Sequence, residues 1–290
     1  MHAVIAELTK SCPVLVDGAW GTQLQARGLP VGASPDGWNL THANLVEEIP
    51  RAYVDAGSRV VLTNSFRGNR LALAADDLAD RVVELNRAAA RISKSAAAEQ
   101  AVVFGSIGPS GKMLCMGEVS ADELRDVFLQ QATALASGGA DGLVVETMAD
   151  LEEAKLAVEA AKSTGLAVVA CMCFDSGPDN DRTMMGVNPE QAAEGLQAVG
   201  ADVIGANCGQ GIEGYVSIAR RLAQATELPI WIKANAGVPQ LVGDQVVYET
   251  TPEQFASHVG KLLDAGVVFI GGCCGTSPDF IRAIKRKLDA

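Results

Sequence analysis

The chain has 290 residues, 48% of them hydrophobic and only 4% aromatic, enough apolar material for a folded core without disulfide support. Its formal net charge is −12, and no run of Lys and Arg is longer than 285–287. That balance excludes a nucleic-acid-binding surface, which needs a basic face, and disfavours docking on an anionic membrane.

Short apolar runs alternate with alanine-rich amphipathic segments, the signature of parallel strands joined by helical crossovers. The first unit is a strand over 14–16 that closes on Asp17-Gly18, then a polar loop with Trp38 and His42 and a helix over 44–56. Strands over 60–64 and 102–106 follow, with helices over 76–98 and 121–137. The fourth and fifth strands, 142–147 and 167–174, precede helices over 151–163 and 189–199. The sixth, 203–208, and the seventh, 229–235, precede helices over 214–226 and 252–264. The eighth, 267–270, runs into Gly271-Gly272-Cys273-Cys274-Gly275-Thr276 and a last helix over 278–288. Glycines near 57, 138, 200 and 266 mark helix ends, as C-cap glycines do. Eight such units count out a single α/β domain, a (β/α)8 TIM barrel spanning 1–290.

Residues 1–7 lack the basic stretch and apolar core of a signal peptide, and no run approaches the roughly 20 apolar residues that span a bilayer. The expectation is a cytoplasmic protein whose seven cysteines are thiols or ligands rather than disulfides.

Chemistry in such a barrel collects at the C-terminal ends of the strands. There the chain places Asp17, Asn64, Ser106, Glu146, Cys173, Cys208, Asn235, Cys273 and Cys274. Taken singly, a cysteine reads as a small buried apolar residue. Cys208, Cys273 and Cys274 each follow a strand and each sit among glycines, so together they read as a metal site. Cys171 and Cys173 read as barrel interior. Three thiolates select zinc over the hard cations, and three protein ligands leave one tetrahedral position for substrate. Zinc so held suits a thiol substrate, which it keeps deprotonated and ready for alkylation. Asp17 and Glu146 suit an ammonium group on that substrate.

Asp17-Gly18-Ala19-Trp20-Gly21-Thr22, Thr63-Asn64-Ser65-Phe66, Glu146-Thr147, Asn207-Cys208-Gly209 and the 271–276 motif are distributed over the barrel. In this combination the chain resembles, end to end, the homocysteine S-methyltransferase family. The resemblance implies zinc on Cys208, Cys273 and Cys274, activating homocysteine as a thiolate that accepts a methyl group to give methionine. It also implies that Asp17 and Glu146 hold the homocysteine ammonium and that amides around Gly18 hold its carboxylate. Trp38 falls where betaine-using relatives place an aromatic that can hold a trimethylammonium by cation–π attraction. Arg67 stands where those relatives carry a second aromatic. Betaine is the favoured donor. The alternatives are the homocysteine-activating subunit of a split methionine synthase served by a corrinoid protein, an S-methylmethionine-dependent enzyme, and, from another class, a non-catalytic zinc sensor.

Overall fold

The apolar runs form strands where the sequence places them, and the strands close on themselves. The structure, a computed structural model, describes residues 1–30, 32–242 and 245–290. The barrel strands are β1 (Val14–Leu15), β2 (Val60–Leu62), β3 (Val102–Ile107), β4 (Gly142–Met148), β5 (Ala167–Met172), β6 (Val203–Gly211), β7 (Ile230–Asn235) and β8 (Val267–Gly272). All pair in parallel in the order β1-β8-β7-β6-β5-β4-β3-β2. The remaining seam, β1 against β2, is closed by one bridge between Val16 and Val60 and by the Arg59 amide donating to Leu15 O at 2.8 Å. This is a (β/α)8 TIM barrel.

Two apolar layers hold it. Val14, Val16, Val60, Leu62, Phe104, Val144, Val169, Val203, Trp231 and Phe269 point inward and fill the barrel. Trp231 lies between Phe104 and Phe269, with ring centroids 6.4 and 5.3 Å away. A helix over Ala3–Leu8, not expected from the sequence, closes the floor with Ile5 and Leu8. The second layer packs the outer helices on the strands. Two of those helices open on capping boxes, Asn188 with Gln191 and Thr251 with Gln254, which satisfy first-turn amides.

Two departures from the sequence reading matter. The helix expected over 252–264 is broken at His258 into Pro252–Ser257 and Val259–Asp264. The loop after β7 carries a short antiparallel pair, Gln240–Val242 with Gln245–Val247, which delivers Tyr248 to the barrel mouth. The Tyr248 ring rests on Gly275, where an added Cβ would lie 2.2 Å from the ring and where φ is +80°. Only glycine fits both conditions. Among the described residues no helix is long and apolar enough to cross a membrane.

Candidate active site

Strand alternation builds the mouth from the interior upward. Successive side chains of a strand face opposite ways, so a residue two or four beyond an inward one also faces inward. Inward Phe104, Val144, Val203, Trp231 and Phe269 are thus followed at the C-terminal ends by Ser106, Glu146, Asn207, Lys233 and Cys273.

Cys208 and Cys274 break that alternation, each by a backbone turn. The β6–β7 register slips between Cys208 and Gly211, and Cys208 has φ +63°. A non-glycine residue in that region is uncommon and marks a local constraint. Buried Tyr215 donates to Cys208 O at 2.7 Å and pins the bent peptide. After β8 the chain turns through Cys274 and Gly275, and Thr276 Oγ1 ties the turn by donating to Cys273 O at 2.7 Å. The same oxygen accepts from the Ala19 amide at 3.0 Å. A Cβ on Gly18 would lie 2.7 Å from the Tyr53 hydroxyl, so the 17–19 loop can lie this close only with glycine there.

The three sulfurs expected to act together do converge: Cys208, Cys273 and Cys274 Sγ all lie within 4.8 Å of one another, Cys208 and Cys274 at 4.0 Å. Tetrahedral zinc–sulfur bonds of about 2.3 Å separate their sulfurs by about 3.8 Å. The donor set therefore fits a zinc ion with small movements. Hydrogen bonds from the Cys173, Cys273 and Cys274 thiols hold Cys208 well below the ordinary thiol range. Cys274 is pushed up to about 12, chiefly by Cys208. Like charges this close oppose one another's ionisation, so three converging thiolates favour a divalent cation among them. Cys171 lies in the barrel interior as expected. Cys173, also buried, turns its sulfur toward Asp175 at 3.6 Å.

Beside the sulfurs lies a cavity of about 290 Å³, whose wall includes Gly18, Trp20, Asp36, Phe66, Arg67, Glu146 and Lys233. This is close to the low end of small-molecule sites, roughly 300 Å³. Glu146 accepts from Ser106 Oγ at 2.5 Å and Asn207 Nδ2 at 3.2 Å. Burial raises its pKa, against the pull of Lys233 and the Ser106 hydrogen bond. Asp17 sits differently from the sequence expectation. It is fully buried and absent from the cavity wall, with Oδ1 2.5 Å from Lys233 Nζ and Oδ2 accepting from Trp20 Nε1 at 2.9 Å and the Leu62 amide at 2.8 Å. An internal ammonium thus occupies the carboxylate that sequence reasoning reserved for a substrate. Lys233 was missed because a single lysine inside an apolar strand attracts no notice. Its parity with Trp231 was the available signal.

Trp38 is also placed elsewhere. It opens a short helix, stacks on His42 with centroids 4.4 Å apart, and packs into the outer core rather than the cavity wall. The aromatic residues on that wall are Trp20 and Phe66. Arg67 is drawn aside by Asp76 at 3.1 Å.

Residues 14–288 match the family model described as homocysteine S-methyltransferase. The chain is 30% identical to the methionine synthases of Mycobacterium tuberculosis and Mycobacterium leprae, with 94% of this chain covered but only 24% of either relative. It thus spans about a quarter of the length of these curated relatives. Among solved structures, the metallated form of the homocysteine methyltransferase MmuM from Escherichia coli superposes with a TM-score of 0.83. That match covers 99% of this chain and 100% of the other at 24% identity, a likeness of fold.

Proposed function

The chain belongs to the homocysteine S-methyltransferase family, and from that premise we propose that residues 1–290 act as one homocysteine-binding barrel that methylates homocysteine to methionine at a zinc held by Cys208, Cys273 and Cys274. The convergence of three sulfurs beside a cavity walled by a carboxylate and an ammonium carries this reading. Zinc on three thiolates would supply a thiolate form of the acceptor at neutral pH, where a free thiol of pKa about 8.5 is mostly protonated.

The protein's own residues do the rest by placement. Glu146, fixed by Ser106 and Asn207, keeps lone pairs for the acceptor's ammonium. Asp17 acts through Lys233 rather than by touching substrate. Gly18, on the wall beside the sulfurs, brings main chain close enough to face the acceptor's carboxylate. Trp20 and Phe66 line the cavity, where apolar surface keeps water from the sulfur and offers π-faces to a cationic donor.

Betaine is the donor we put first. Its trimethylammonium suits Trp20 and Phe66 now that Trp38 lies outside the cavity, and Arg67, engaged by Asp76, does not confront it with a free cation. A second reading, a methylcorrinoid partner, is favoured by the 30% identity to methionine synthases. One assay separates them. Zinc-loaded protein and homocysteine are supplied in turn with betaine, S-methylmethionine or a methylcorrinoid protein, and methionine is measured. Betaine alone should give multiple turnovers. Methionine only with the corrinoid protein would reassign the donor, and none with any of the three would overturn the activity.

A further inference from the structure

We infer that Lys233 binds the α-carboxylate of the amino-acid acceptor and so sets the preference of this site for an amino-acid thiol over a simple thiol. The inference rests on the homocysteine reading above and adds a substrate contact to it.

The argument begins with an unfinished set of hydrogen bonds. Lys233 is 3% exposed, yet its ammonium carries three N–H donors. Among the described residues, Asp17 Oδ1 is the acceptor it finds, at 2.5 Å. Two donors of a buried cation are left over, and buried polar groups are costly to leave unpaired. Lys233 also forms part of the cavity wall, so a ligand there can reach them. Burial pulls its pKa down, but Asp17, Glu146 and Cys273 more than compensate, and the group stays cationic.

The ligand that completes the set is an anion. The other cation on the wall, Arg67, is already paired with Asp76 and donates to Ala72 O at 3.4 Å. An α-amino acid with a terminal thiol carries three groups, and the cavity offers a partner for each: sulfurs and their metal for the thiol, Glu146 for the ammonium, Lys233 for the carboxylate. Lys233 cannot move freely to meet other ligands, because Asp17 is itself held by Trp20 and the Leu62 amide. The cation is therefore pre-positioned, which lowers the ordering cost of binding.

The test compares two thiols within each protein, homocysteine and its decarboxylated analogue 3-mercaptopropylamine, by calorimetric titration of zinc-loaded protein. Wild type should favour homocysteine about ten- to hundredfold, the range expected for a hydrogen bond between charged groups. In Lys233→Met the preference should fall to within about threefold, mostly through weaker homocysteine binding. Because removing Lys233 strands a buried Asp17, the double variant Asp17→Asn/Lys233→Met is measured alongside and should show the same collapse. Lys233→Arg keeps the charge and should retain part of the preference. An unchanged preference in a folded, zinc-containing Lys233 variant would reduce Lys233 to a counter-ion of Asp17 and overturn the inference alone. Wild type that binds neither thiol would overturn the homocysteine reading, and this inference with it.

Discussion

Asp36 gives the protein a measurable pH signature. The residue is 2% exposed, and Oδ1 has no hydrogen-bond partner among the described residues. Burial pushes its pKa from the ordinary 3.8 up to about 7, against the lowering effects of its own backbone hydrogen bond and of Arg67. Between those values the folded chain holds a proton that the unfolded chain releases. Stability from this group is therefore full below pH 3.8 and is lost as pH rises toward 7. At about 1.4 kcal/mol per pKa unit the whole span is worth about 4 kcal/mol, and the part falling between pH 5 and pH 8 roughly 2.5 kcal/mol. Asp36→Asn keeps the shape and removes the titration. Urea unfolding of both proteins at pH 5 and pH 8 should show wild type losing roughly 2.5 kcal/mol more than the variant. Every other titrating group is common to the two proteins and cancels in the comparison. Parallel pH dependence would mean that Asp36 is solvated or paired in solution and would refute the reasoning.

Two further outcomes test the site. Cys208→Ala should lose stoichiometric zinc in metal analysis while circular dichroism stays that of the folded barrel; equimolar zinc retained after dialysis would remove Cys208 from the ligand set. Glu146→Gln should raise the apparent KM for homocysteine about ten- to hundredfold at unchanged zinc content, the effect of losing an ionic hydrogen bond to the ammonium. An unchanged KM would take Glu146 out of the acceptor site.

The legible and illegible parts of this molecule differ in range. Strand β8 and the turn after it could be read because an apolar run, two glycines and two cysteines are all local signals. Cys208 could be added because its own setting, Asn207-Cys208-Gly209, repeats the theme. Trp20 and Trp38 show where such reading stops. Both are tryptophans beside a glycine early in the chain, yet Trp20 is tied to Asp17 at the cavity wall while Trp38 stacks on His42 away from it, and neither contact is legible locally. Asp17 shows the same limit in energetic form. Its place at a strand end was readable, but its partner Lys233 is 216 residues away in sequence, and nothing local to Asp17 announces that ion pair. The break at His258 was hard to place because the weak helix formers around it, Ser257, Val259 and Gly260, are each tolerated inside a helix and the glycine lies two residues past the interruption.

The seam between β1 and β2 links the fold to the chemistry. Where the backbone supplies only a single bridge, the Leu62 amide is satisfied by the Asp17 side chain instead of by a neighbouring strand. The carboxylate that steadies Lys233 is therefore also a rung of the barrel's ladder. A ligand on Lys233 would pull on that rung, so amide exchange at Leu62 would report a ligand that never touches Leu62. The seam closed by a single bridge is thereby tied, through Asp17, to the buried cation of the cavity wall.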